Sequence, residues 1–199
     1  SNYYATSNLK PTLGSYNDRI PCNLLMYFQA IGYRHIGTSP NIARNWLLEN
    51  MIHGAPVTFV VVGTLNSYED RVFMPTLNEL FGFHEKNEKL FTNVQSSGNI
   101  ALVKGSWPEY QGLIKMLTEE HILFDVMEAS SIGSVRAPRA LDSYDALILG
   151  DISGLNEDIM NNIRDYVQNG GKLITTGYSF LNEKSTCMES GPLMQILGI

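Results

Sequence analysis

Chemistry needs a nucleophile, a base or a set of ligands, and four places in this chain offer the residue types. The first is Gly177-Tyr178-Ser179, at the end of the apolar run KLITTG. A nucleophile elbow holds its serine on a strained strand-to-helix turn, and the pattern G-x-S-x-G needs small residues on both sides of the bend. Here the fifth position is Leu181. The α/β-hydrolase order also runs serine, acid, histidine, whereas His35, His53, His84 and His121 all precede Ser179. The stretch therefore reads as a strand end, and an amidase or esterase built on Ser179 would need an atypical site. Cys187 comes after that strand end with no histidine following it, so it reads as a small structural cysteine.

The second place is FHEKNE, where His84 and Glu88 stand one helical turn apart. The same side of that helix carries Leu77, Leu80, Phe81 and Phe91, and no further ligand completes a set, so no metal site is expected. The third is the group formed by Trp107 and Glu109 in KGSWPEYQG, Asp151 after YDALILG, and Tyr178. Each follows an apolar run, and in open parallel sheets ligands sit at that carboxyl edge. Trp107 could stack on a sugar ring or a neighbouring subunit, or simply pack its loop. Glu109 would equally favour the positive end of its own helix. With one glycine, KGSWPE is a poor phosphate cradle. The fourth place holds Arg34 and His35 near a strand end, with Asp70 and Arg71 in GTLNSYEDR. The Asp70-Arg71 pair, beside such an edge, could bind substrate hydroxyls or form a solvated or interdomain ion pair. The candidate ligand-binding residues are thus Trp107, Glu109, Asp151, Tyr178, Arg34, His35 and Asp70. No catalytic residue, metal ligand or cofactor is assigned.

The elements that must position these residues alternate along the chain. From about residue 99, NIALVKG, ILFDVMEA, YDALILGD and KLITTG are short apolar runs, the third apolar on both faces. Between them lie stretches with helical spacing, the signature of βαβ units and a parallel sheet. Tyr110, Leu113, Ile114 and Leu117 form one helical stripe, and Leu155, Ile159, Ile163, Tyr166 and Val167 another. Asn169-Gly170-Gly171 stops the second helix. PLMQILGI reads as the start of a further helix and implies that the domain is cut there. In the first 95 residues, LLMYFQAIGYRHIG predicts a strand and VTFVVVG an all-apolar strand of parallel type. TSPNIARNWLLENMIHGAP predicts a helix with Ser39 as N-cap, Pro40 in its first position and Gly54 as its stop. Another helix is expected from about Pro75. Two parallel βα units cannot bury both faces of their strands, so this half reads as the tail of a larger barrel or sheet.

Composition narrows the partners. With 44% hydrophobic and 17% charged residues the chain is an ordinary folded one, which sets disorder aside. A net charge of −6 without a Lys/Arg cluster argues against nucleic acid. Two cysteines, without C-x-x-C spacing, fit a reducing cytoplasm. No apolar run approaches the roughly 20 residues that span a bilayer, so no membrane partner is expected.

The runs NIALVKGSWPEYQGLIKMLTEEHILFDVMEA and YDALILGDISGLNEDIMNNIRDYVQNGGKLITTGYS carry a resemblance. They resemble the class I glutamine amidotransferase-like domain, called the trimerisation domain, that follows the barrel in family 42-type β-galactosidases and related glycosyl hydrolases. Upstream, YRHIGTSPNIARNWLLENMIHGAPVTFVVVGTLNSYEDR is similar to the closing βα units of the barrel in such hydrolases. The resemblance implies an α/β fold: a flavodoxin-like open parallel sheet over residues 96–199, preceded over 1–95 by the last βα units of a TIM-type barrel. It also implies a non-catalytic role, because the amidotransferase cysteine is missing from the strand end. The late barrel strand ends in Tyr33-Arg34-His35, without a carboxylate, so the paired carboxylates of a glycosidase would lie upstream. The implied partners are the carbohydrate substrate of the parent barrel and further copies of the chain.

Overall fold

The computed structural model describes residues 3–28, 31–33, 35–177, 179 and 196. The chain divides into two compact units, one of Ser1–Leu9 with Ile20–Gln95 and one of Lys10–Arg19 with Ser96–Ile199.

The second unit is built on four parallel strands, β1 (Ile100–Val103), β2 (Phe124–Met127), β3 (Ala146–Gly150) and β4 (Lys172–Thr176), in the order β2-β1-β3-β4. Register sets Ile100 beside Phe124 and Ala146, and Ala146 beside Lys172. Helix α4 (Trp107–Glu119) follows β1, and α5 (Glu157–Gln168) follows β3. Because side chains alternate along a strand, β1 and β3 divide their apolar residues between two layers. Ala101, Val103, Leu147 and Leu149 meet Met160, Ile163 and Tyr166 of α5, while Leu102 and Ile148 meet Tyr110, Ile114 and Leu117 of α4. Each fully buried aliphatic chain contributes about 1.5–3 kcal/mol, which makes these two layers the main support of the unit. The flavodoxin-like open sheet expected from the sequence is present.

Local signals explain the helix limits. Asn156 caps α5 by accepting from the Ile159 amide at 2.9 Å, and Glu157 and Asp158 occupy its first turn. The helix ends as Gly170, at φ 98°, turns the chain so that the Gly171 amide donates to the Tyr166 carbonyl at 2.9 Å.

Strand β2 is an edge of the sheet, and residues 10–15 cover it. These form the second half of α1 (Tyr4–Ser15), a helix that the sequence pattern did not announce. Lys10 donates through Nζ to the Phe124 carbonyl, the Glu128 amide donates to Ser15 Oγ at 2.7 Å, and Gly14 lies flat on the Val126 carbonyl. Residues 124, 126 and 128 are alternate positions, the ones whose main-chain groups point outward from one side of an edge strand. Strand β4 is more exposed than β1 to β3, with Ile174 half open to solvent.

The first unit packs α2 (Pro40–Ile52) and α3 (Met74–Phe91) with an aromatic core of Tyr27, Phe28, Tyr68 and Phe73. Helix α2 begins after Ser39 with Pro40 in its first turn, and Gly54 at φ 64° follows its end, as the spacing predicts. The two expected strands are not regular ones. They touch through one parallel bridge, Met26 with Val60, in which the Val60 amide donates to Leu25 at 2.7 Å and the Tyr27 amide to Val60 at 3.2 Å. A second, antiparallel bridge joins Phe28 and Gly37. Residues 57–61 are only half-buried, because a lone parallel pair has one covered face and few ladder bonds. The expected stripe of α3 is also only partly right. Leu77 and Leu80 are buried, Phe81 is exposed, and the helix departs from helical geometry at Asn87.

In this unit Glu49 of α2 accepts from the first-turn amides of α1, with the Thr6 amide at 2.7 Å, while Thr6 Oγ1 lies 3.2 Å from His53 Nε2. Burial pushes the Glu49 carboxyl up, and the hydrogen bonds from Thr6 and Ala5 only partly offset that. A raised carboxyl favours the protonated folded state. Its stabilisation is therefore complete below the ordinary carboxylate range and is lost as pH rises through the raised value. In urea titrations across that window, the parent protein should lose stability relative to Glu49→Gln as pH increases. A constant difference between the two would remove Glu49 as the cause. Among the described residues, no helix is long and apolar enough to cross a membrane.

Candidate functional site

The carboxyl ends of β1, β3 and β4 form the edge at which a sheet of this order would bind a ligand. From β1 the chain crosses to β2 on one side, and from β3 to β4 on the other, so the switch point lies between β1 and β3. Such a crevice is usually open. Here Asp151 occupies it.

Asp151 stands immediately after β3 with φ 50°, a left-handed conformation that aspartate tolerates better than most residues. Its amide donates to Thr176 at 3.2 Å and its carbonyl accepts from the Ser106 amide at 3.3 Å. Its carboxylate Oδ2 accepts from Ser106 Oγ. One residue thus ties together the ends of β1, β3 and β4. Glycines make the approach possible. A Cβ on Gly177 would collide with the Asp151 side chain, and one on Gly105 would land on the Gly150 carbonyl oxygen. The space above Gly150 is taken by Leu113 Cδ1, with Glu109 Cγ close by.

Ser179 is 2% exposed. Its Oγ lies 2.7 Å from the Thr176 carbonyl and 3.0 Å from the Leu149 carbonyl, and accepts from the Ile152 amide at 3.2 Å. The hydroxyl is thus turned toward main-chain carbonyls at the end of the sheet. The serine acts as a turn fastener. Ser179→Ala should cost about 1–2 kcal/mol, because it strands main-chain groups, and a urea midpoint measures this.

Other expected site residues fare differently. Trp107 opens α4 and is 65% exposed, its ring 6.4 Å from that of Tyr110. Glu109 is in the first turn of α4, at the positive end of the helix. With Asp151 these two share one edge. Tyr178, Arg34 and Cys187 lie outside the described residues. His35 is exposed in the first unit. There Asp70 spends its carboxylate on main-chain amides, those of Gly37 at 2.8 Å and Val72 at 3.3 Å, in place of any pairing with Arg71. Arg71 instead donates through Nε to the Tyr68 carbonyl at 2.8 Å. His84 stacks on Phe91 with ring centroids 5.5 Å apart, and no cluster of potential metal ligands occurs among the described residues. Ser106 was the residue that sequence reasoning missed. Ser106-Trp107-Pro108-Glu109 has the spacing of a capping box, but the hydroxyl turns away from its helix to Asp151.

A second polar cluster lies toward the amino ends of the strands. Asp125 accepts from Arg139 at 3.1 Å and from the Tyr144 hydroxyl at 2.9 Å. Arg139 also donates to the Gly98 carbonyl, and to that of Ser143 at 3.2 Å, while its guanidinium sits 4.3 Å from the Tyr144 ring centroid. Burial, then the neighbouring Asp125 carboxylate, pushes the Tyr144 phenol well above its ordinary range, so it remains a donor. Among the described residues every partner is internal to the unit, which makes this cluster a knot of structure.

No family profile and no curated protein matches the chain. Solved structures do. A β-galactosidase from Bacillus circulans sp. alkalophilus aligns over 98% of this chain and 33% of its own, at 17% identity and a TM-score of 0.69. Alpha-L-fucosidase isoenzyme 2 from Paenibacillus thiaminolyticus aligns over 81% of this chain and 25% of its own, at 21% identity and a TM-score of 0.59. The likeness is one of fold. The chain spans a third and a quarter of the lengths of these two proteins, and its architecture is one that glycoside hydrolases contain.

Proposed function

We propose that the chain is a non-catalytic C-terminal part of a glycoside hydrolase. Residues 96–199 act as an amidotransferase-like domain of the β-galactosidase trimerisation type, and residues 1–95 as the last βα units of the barrel. In this reading the parent barrel cleaves a glycosidic bond with two carboxylates supplied upstream. The present residues brace the barrel and help copies of the protein assemble in the cytoplasm. The observation that carries the reading is Asp151. It fills the switch-point crevice with internal hydrogen bonds, where a ligand-binding relative of this fold would keep room for a substrate. The fold shared with two glycoside hydrolases, over most of this chain, supports the choice of parent.

The test is direct. The chain alone should turn over no aryl ester, amide or glycoside, and Ser179→Ala should change stability without changing any rate. Ester or amide turnover that disappears in Ser179→Ala would overturn the reading. Light scattering on the longer protein, with and without these residues, should show assembly only when they are present.

A further inference from the structure

The second unit holds a groove that the reading above leaves unused. It runs between α5 and the segment 131–142, from Met127 at the end of β2 to Asn169 at the end of α5, with a volume of about 400 Å³ and an adjoining hollow of about 260 Å³. We propose that it binds a neutral, polyhydroxylated ligand of monosaccharide size.

Helical spacing builds one wall. Asn162 and Asp165 fall at i and i+3 on α5, beside the apolar stripe that meets the sheet, and Asn169 caps the helix one turn further on, so the three line up along the groove. Asp142 stands in the opposite wall, and Ile132 and Leu141 supply apolar surface. The far wall is preformed. Ser131 Oγ donates to the Glu128 carbonyl at 2.7 Å, Arg136 grips Asp18 through two bonds, and Gly133 at φ 73° sits so close to Asn162 that a Cβ would not fit.

The free groups set the ligand class. Asp142 and Asp165 have no hydrogen-bond or ion-pair partner among the described residues, and neither does the Asn169 side chain. Arg139, the cation of the larger cavity, is spent on Asp125 and on two carbonyls, so a phosphate or carboxylate would meet no unpaired positive charge there. Across the groove and its adjoining hollow there remain two carboxylate acceptors, an amide that both donates and accepts, the exposed Lys172 ammonium at the hollow's rim, which offsets part of that negative charge, and apolar surface. Ring hydroxyls supply the complementary donors, and the C–H face of a pyranose suits the apolar part.

The choice of probes rests on the glycosidase reading: methyl β-galactoside and fucose, with spermidine as a cationic control. Titration of the ¹⁵N-labelled chain should give saturable amide shifts confined to residues 131–142 and 162–169. Asp142→Ala with Asp165→Ala should weaken binding at least tenfold while the rest of the spectrum stays folded. Should that pair fail to fold, Asp165→Asn and Asn169→Ala are the milder substitutes. Absence of saturable shifts, shifts elsewhere only, an affinity untouched by the variants, or a response to spermidine alone would each overturn the proposal. Sugar binding here alongside ester turnover abolished by Ser179→Ala would leave this groove standing and overturn only the non-catalytic reading.

Discussion

Gly105→Ala should destabilise the second unit by about 3 kcal/mol or more, the upper end of what overpacking costs, since the obstacle is main chain and cannot rotate away. The added methyl would meet the Gly150 carbonyl oxygen, with the Asp151 carbonyl behind it. Relief requires the ends of β1 and β3 to part, which breaks the contacts of Ser106 with Asp151 as well. Typical domains have only about 5–15 kcal/mol in total, so the urea midpoint should fall by a large fraction of its value. Gly112→Ala provides the opposite sign. That glycine is exposed on α4 with open space where its Cβ would go, and alanine there should add about 0.5–1 kcal/mol. If both substitutions shifted the midpoint alike, steric closure at the switch point would not be the explanation.

Arg139→Ala should cost about 3 kcal/mol. Asp125 is almost fully buried, and removing its paired guanidinium leaves a carboxylate with the Tyr144 hydroxyl as its remaining side-chain hydrogen bond among the described residues and the Lys10 ammonium only as a nearby charge. Breaking a buried pair from one side typically costs about 3–5 kcal/mol, and the lower end applies because Arg139 itself is 29% exposed. The Gly98 and Ser143 carbonyls lose a donor in the same step. Arg44→Gln offers the contrast, since the Arg44–Glu79 pair is bidentate but exposed on both sides. Exposed pairs contribute little, and its midpoint should not move measurably. Equal losses from the two arginines would mean that burial is not what gives Arg139 its weight.

The sheet was readable from residues 99 to 177 because pattern and environment agree there. ALILG is apolar throughout and its strand is buried throughout, while the stripe Ile159, Ile163, Tyr166 met the sheet as its spacing required. The first half was harder for a physical reason. VTFVVV looks like a doubly covered strand, but an apolar run does not state how many neighbours it will have, and this one forms a single bridge with Met26. Helix α1 escaped notice because Pro11 and Gly14 are poor helix residues, and tertiary contact decides its course instead. At the site, Asp151 and Ser179 were legible as positions but not as partners. No spacing rule connects Ser106 with Asp151, which lie on different crossovers and meet only when the sheet closes.

The cover that residues 10–15 place over β2 has a practical side. A polypeptide cut to begin at residue 96 would look like a whole sheet domain in sequence, yet it would lack the segment that answers Phe124, Val126 and Glu128. Its naked strand would template stacking with its neighbours, so that shortened product should emerge from expression as insoluble, thioflavin-positive aggregate.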